Sequence, residues 1–217
     1  MKKIFLFLVL PLIGFVSCGD GVTREYWENG LVKSELRYDD GKLNGLCKWY
    51  YENGMPEMEV EYVNDEKVGH MIRWSDKGCV SEEGWYKENL LDSVYRSYST
   101  NGSMVSEIYY THGNMNGPYR TWYDNGQLFM DGQYRDGMMD GSWMVFYPEG
   151  NLASTAVYDM GKGTQVGFDK TGYRCLVACY EDNVKHGGEC YYNPDGTLIK
   201  TTVYDHGKVV SVTFAEK

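Results

Sequence analysis

Tyrosine returns at Tyr38, Tyr62, Tyr86, Tyr110, Tyr134 and Tyr158, every 24 residues, and then at Tyr180 and Tyr204. A second series keeps step with it: Tyr26, Tyr50, Trp74, Tyr98, Trp122, Phe146, Phe168 and Tyr192. A third is glycine throughout: Gly30, Gly54, Gly78, Gly102, Gly126, Gly150, Gly172 and Gly196. All three shorten together by two residues between Tyr158 and Tyr180. Composition alone cannot hold three series in one phase through a shared deletion. The chain is a repeat array, and no other property restricts its fold so tightly.

Each unit reads as one β-hairpin. Pro56 to Tyr62, PEMEVEY, puts Pro, Met, Val and Tyr on one face and three glutamates on the other, and Val32 to Tyr38, VKSELRY, alternates likewise. That is the period of a half-buried strand. The aromatic series ends a second strand, as in Lys48-Trp49-Tyr50-Tyr51. Glu-Asn-Gly, Asp-Asn-Gly or Pro-Glu-Gly follows, its glycine supplying a positive-φ turn position. Another turn follows each tyrosine, as at Asp40-Gly41, His112-Gly113 and Asp136-Gly137. A lone hairpin is marginal, so neighbouring units must stack. The expected fold is all-β: an elongated, single-layer antiparallel meander of stacked 24-residue hairpins. The 26 glycines, and 20 tyrosines against 7 phenylalanines, agree with a turn-rich β protein.

The first residues, MKKIFLFLVLPLIGFVSCGD, stand outside that pattern. Lys2 and Lys3 precede an apolar run from Ile4 to Val16, too short for a ~30 Å hydrocarbon core, which needs ~20 helical residues. Residues 1–17 read as a secretory signal, 18–23 as a short linker and 24–217 as the array. Phe15-Val16-Ser17-Cys18 resembles a bacterial lipobox, although that pattern prefers Leu where Phe15 stands. The resemblance implies cleavage before Cys18, lipidation of Cys18 and, with Gly19 next, passage to the outer membrane. Formal net charge is -10, and loss of Lys2 and Lys3 takes it to -12. So acidic a chain is repelled by nucleic acid and anionic lipid, which leaves the lipid anchor as the expected contact with a membrane and favours a basic protein partner.

The stretch from Tyr110 to Leu128, YTHGNMNGPYRTWYDNGQL, closely resembles a MORN repeat in its 24-residue bacterial variant, a type associated with antitoxin components. The likeness runs from about 24 to 214, seven full units with partial ones at the ends. It departs where Asn89 and Ser93 replace glycines and at the two-residue deletion. It implies an elongated curved sheet that binds proteins or membranes and has no catalytic activity of its own.

Residues that could carry chemistry are scattered. His112 and His206 share a turn position, His186 belongs to the second half of such a turn, and no HExxH-type spacing occurs among these and His70, so solvated turn histidines and no metal or cofactor are expected. Asp131 to Gly137 has Gln133 and Arg135 where calcium ligands would stand. The acids fall in turns or on the outward strand face, which suits solvation better than general acid–base work. Besides Cys18 there are Cys47, Cys79, Cys175, Cys179 and Cys190. Cys175 and Cys179 are ~13 Å apart along one strand and cannot bridge. Cys179 and Cys190 flank Asp182-Asn183 and are a candidate disulfide, although strand parity puts them on opposite faces unless a bulge intervenes.

The expected function is therefore that of a non-catalytic, exported lipoprotein whose sheet binds a protein, as an adaptor, immunity or antitoxin-like factor, with a toxin among the conceivable partners. A spacer between membrane and cell wall is the alternative, and a hydrolase of envelope polymers using paired carboxylates a remoter one. With no second layer encoded, the candidate partner-binding residues are Tyr50, Trp74, Tyr98, Trp122 and Phe146. Trp74 and Trp122 lead, ~19 Å apart if each unit adds two strands of ~4.8 Å.

Overall fold

The computed structural model describes residues 16–17 and 21–216. The expected lipidation site at Cys18 and most of the expected signal lie outside the described residues. Those residues form nineteen strands and no helix, from β1 (Val16–Ser17) to β19 (Lys208–Phe214), in one antiparallel sheet in which chain neighbours pair. β4 (Lys42–Leu43) and β5 (Gly45–Tyr50) are two pieces of one strand, both paired with β3 (Val32–Asp39). The single-layer meander is the fold expected.

The two turn types are separated cleanly by φ. The turn after each tyrosine is a two-residue loop with positive φ at both positions, as at Asp136 (51°) and Gly137 (80°), the form that matches the right-handed strand twist. Asp65 (φ 70°), Asn89 (φ 66°) and Asn183 (φ 64°) take the left-handed position that glycine holds in the other tight turns, which Asn and Asp tolerate, so the units lacking that glycine keep their hairpins. The other turn spans five residues. In Tyr51–Met55, Gly54 N–H donates to Tyr51 C=O (2.9 Å) and Tyr51 N–H to Met55 C=O (2.9 Å), with Gly54 at φ 84°. All eight glycines of the phased series have φ between 80° and 93°.

Turns also bind the units to one another. Asn53 Oδ1 accepts Met55 N–H (2.9 Å) while its Nδ2 donates to Asp76 C=O in the next unit (2.9 Å); Asn29 and Asn125 do the same. Tyr51 Oη donates to Trp74 C=O (2.8 Å), Tyr123 to Phe146 and Tyr147 to Phe168. On the other margin each tight turn donates a backbone N–H to the preceding one, as Gly137 to Met115 and Gly161 to Met139. Both margins are thus hydrogen-bonded ladders.

One face of the sheet carries the phased tyrosines and two separate apolar clusters. The first holds Cys47, Val60, Tyr62 and Met71, with Trp49, Met58 and Tyr86 against it. The second holds Trp143, Ala156 and Tyr158, with Tyr119, Tyr134, Met139 and Tyr180. Between them this face is polar: Tyr95 donates to Glu82 (2.6 Å), and Ser97 and Ser106 share a hydrogen bond (2.7 Å). A sheet with no second layer cannot sustain one continuous core.

The array begins earlier than expected. β2 (Val22–Tyr26) enters the segment read as linker, because Val22 is buried and pairs with Arg37 on β3. β1 pairs with β2 through Val16–Arg24 and Ser17–Thr23 and lies in the segment read as leader.

Candidate interaction surface

The face opposite the tyrosines is organised by one row running across the strands at mid-length. Successive partners are Arg24, Glu35, Lys48, Glu59, Ile72, Glu83, Arg96, Glu107, Arg120 and Asp131. Charges in the row pair laterally: Arg24–Glu35 (2.8 Å), Lys48–Glu59 (2.9 Å), Arg96 with Glu83 (3.4 Å) and Glu107 (2.9 Å), and Arg120 with Glu107 (3.5 Å) and Asp131 (3.0 Å). The row then turns apolar through Met144, Thr155, Val166, Val177 and Cys190. Beside it Val157 is 67% exposed. One half of this row is a ladder of ion pairs, and the other half carries no charge. The acids of the row are outward, as expected, but paired, whereas Glu82 and the buried Glu189 stand on the tyrosine face.

The ladder bears on the candidate aromatics. Tyr50 Oη donates to Glu35 (3.0 Å) and Tyr98 Oη to Glu83 (2.8 Å), which places both rings on the ladder face. Burial and the Glu35 carboxylate push the Tyr50 hydroxyl up to about 12. Burial alone would raise Glu35 and Glu83. Hydrogen bonds from Arg24 and Tyr50 to the first, and from Tyr98, His70 and Arg96 to the second, hold both below the ordinary range. Trp74, Trp122 and Phe146 occupy the equivalent strand end, and at each the pairing with the next strand slips by one residue. Such bulges re-aim side chains. All five candidates are half-buried. The structure thus separates the phased series by face: tyrosines pack the core, and the aromatic series borders the ladder.

The tyrosine face offers a cleft of about 330 Å³. Its walls are Tyr119, Tyr134, Trp143, Tyr158 and Tyr180, with Ser154, Gln165 and Asn183 as polar points. Ring centroids 5.1–5.7 Å apart tie Trp143 to Tyr119 and Tyr134, and Tyr158 to Tyr180. Sequence reasoning did not single out this cleft. Trp143 lies outside the phased series, and only cross-strand pairing brings it onto the tyrosines.

The candidate bridge between Cys179 and Cys190 is not formed, and both thiols are free. Cys190 stands opposite Val177, and a slip between Ala178 and Tyr180 leaves Cys179 over Gly187, where an added Cβ would lie 3.6 Å from it. The bulge does occur, but it shifts Cys179 toward the turn instead of onto Cys190. Of the histidines, His70 joins Glu83 (3.1 Å) on the ladder, whereas His186 and His206 meet at neighbouring turns, with centroids 4.6 Å apart.

The MORN repeat variant pattern matches residues 19–40, 43–64, 91–112, 115–136 and 139–160, five segments covering just over half of the chain. The chain belongs to the MORN repeat variant family. The MORN hairpins continue through the unmatched segments, with the same pairing at 66–87 and from 162 to 214. Proteins with MORN repeats are often involved in interactions with proteins or membranes. No curated protein matches the chain.

Proposed function

We propose that this MORN array is a non-catalytic interaction module, exported and lipid-anchored through Cys18, whose ladder face docks a protein partner in an adaptor, immunity or antitoxin-like role. One observation carries the reading: Tyr50, Trp74, Tyr98, Trp122 and Phe146 lie half-buried along a sheet that no second layer of the described residues covers. Half-buried aromatics rimmed by charge are what protein interfaces use as anchors, and tryptophan leads among them. The net charge of -10 favours a basic partner, and an Arg–carboxylate ladder gives register as well as attraction. Cleavage before Cys18 would remove β1 and leave β2 as the sheet edge next to the anchor.

The test is affinity capture from detergent-solubilised envelopes of the native organism. The full chain should retain a basic protein that Trp74→Ala and Trp122→Ala both lose, while Tyr173→Ala, an exposed turn residue, keeps it. Equal capture by all variants would remove the aromatic row from the interface. Retention that depends on cell wall would favour the spacer role.

A further inference from the structure

The turns after β16 (Arg174–Glu181) and β18 (Leu198–Asp205) bring together His186 and a pair of donors 19 and 20 residues further along the sequence. His186, on β17 (Val184–Tyr192), Asp205 and His206 each offer one ligand atom, all within 4.8 Å of one another. His186 Nδ1 is 3.5 Å from Asp205 Oδ1, and His206 Nδ1 is 2.7 Å from the same oxygen. A tetrahedral ion with bonds of about 2.1 Å has donors about 3.4 Å apart, and both distances to Asp205 Oδ1 lie within about 0.7 Å of that. A supporting shell is also present. His186 Nε2 lies 3.4 Å from Glu181 Oε2, and His206 N–H points at His186 Nδ1 (3.3 Å). The proton therefore belongs on Nε2, facing Glu181, and the Nδ1 lone pair, which accepts His206 N–H, passes to the ion when one binds. A carboxylate behind the imidazole is how proteins orient a metal-ligating histidine.

The repeat supplies its own comparison. In the equivalent turn four units earlier, Asp92 stands for His186, Thr111 for Asp205 and Lys87 for Glu181, leaving one imidazole, His112, 3.9 Å from Asp92. Accepting the turn N–H needs only a carboxylate there, since Asp92 Oδ1 accepts His112 N–H at 2.9 Å. Backbone duty therefore explains one acceptor, but not two imidazoles with two carboxylates in the last turn.

We propose that His186, Asp205 and His206, with Glu181 behind His186, form a binding site for a divalent transition-metal ion of the zinc class. Three protein donors leave a coordination position for water. The ion takes the place of the proton now shared between His206 and Asp205, so binding releases a proton.

The test uses the purified full-length chain in detergent, with Zn²⁺ alone as the probe in calorimetric titration. One equivalent should bind with micromolar affinity. His186→Ala and His206→Ala should each weaken it at least tenfold, and His112→Ala should leave it unchanged. Co²⁺ substitution should give a spectrum without thiolate charge transfer, which separates this site from the free cysteines. Circular dichroism of each variant checks that the fold is retained. No binding at 100 µM Zn²⁺ (a concentration of about 10⁻⁴ M, far above the affinities of dedicated zinc sites), equal losses from His112→Ala, or thiolate bands in the cobalt spectrum would each overturn the assignment.

Discussion

Gly132→Ala should destabilise the array through one collision. Gly132 lies on β12 (Leu128–Arg135) with a backbone outside the left-handed region, so alanine meets no backbone strain. Its Cβ, however, would lie 2.2 Å from Trp143 Cδ2 and 2.5 Å from Cε2 and Cε3. Carbon atoms pack at about 3.5–4.0 Å, so the indole would have to move by more than ~1 Å. Trp143 has little room: it is 5% exposed and wedged among Tyr119, Tyr134 and Tyr158. Overpacking of this kind costs about 1–3 kcal/mol, and the reduced freedom of the unfolded chain returns only about 0.4–1 kcal/mol. A net loss of about 1–2 kcal/mol is expected. Gly188→Ala is the control, because an added Cβ there meets nothing within 4 Å and its φ is ordinary, so neutrality or a small gain is expected. Urea unfolding followed by tryptophan fluorescence compares the two. Coincident midpoints for both variants would show that the indole does not lie on Gly132 and would dismantle the second cluster as described.

Two further outcomes follow from the same geometry. Glu83→Gln removes the charge and one of the two acceptor oxygens that serve Tyr98, His70 and Arg96, and should lower stability at pH 7 by about 1–2 kcal/mol. Because the Glu83 carboxyl is held below its unfolded value, that contribution is present above the unfolded pKa and lost as pH falls through the folded one. The gap between variant and parent should therefore narrow steadily as pH falls below the ordinary carboxylate range in denaturation curves, and a gap that does not change with pH would refute the linkage. Gly126→Val places a β-branched side chain at φ 80° where no neighbour is within 4 Å, so the cost is backbone strain of about 1–3 kcal/mol. Asp131→Asn weakens only the half-exposed pair with Arg120, worth about 0.2–1 kcal/mol, and equal melting temperatures would contradict the turn assignment.

The sequence by itself determined the fold, because the information is local and repeated eight times. Alternation names the strands, and a glycine or Asn-Gly step at a fixed phase names each turn. A hairpin that cannot stand alone has only its neighbours in the array to pair with. The charge ladder was also present in the sequence, as opposite charges spaced alternately 11 and 13 residues apart from Arg24 to Asp131 around Ile72. Reading it requires the cross-strand register, and register is set by bulges that a period-two count does not contain. The same kind of bulge carries Cys179 away from Cys190. Only the tertiary structure could place Trp143 on Gly132, or His186 beside Asp205 and His206. Each of those contacts joins residues on adjacent strands whose separation along the chain, 11 to 20 residues, has no local signature.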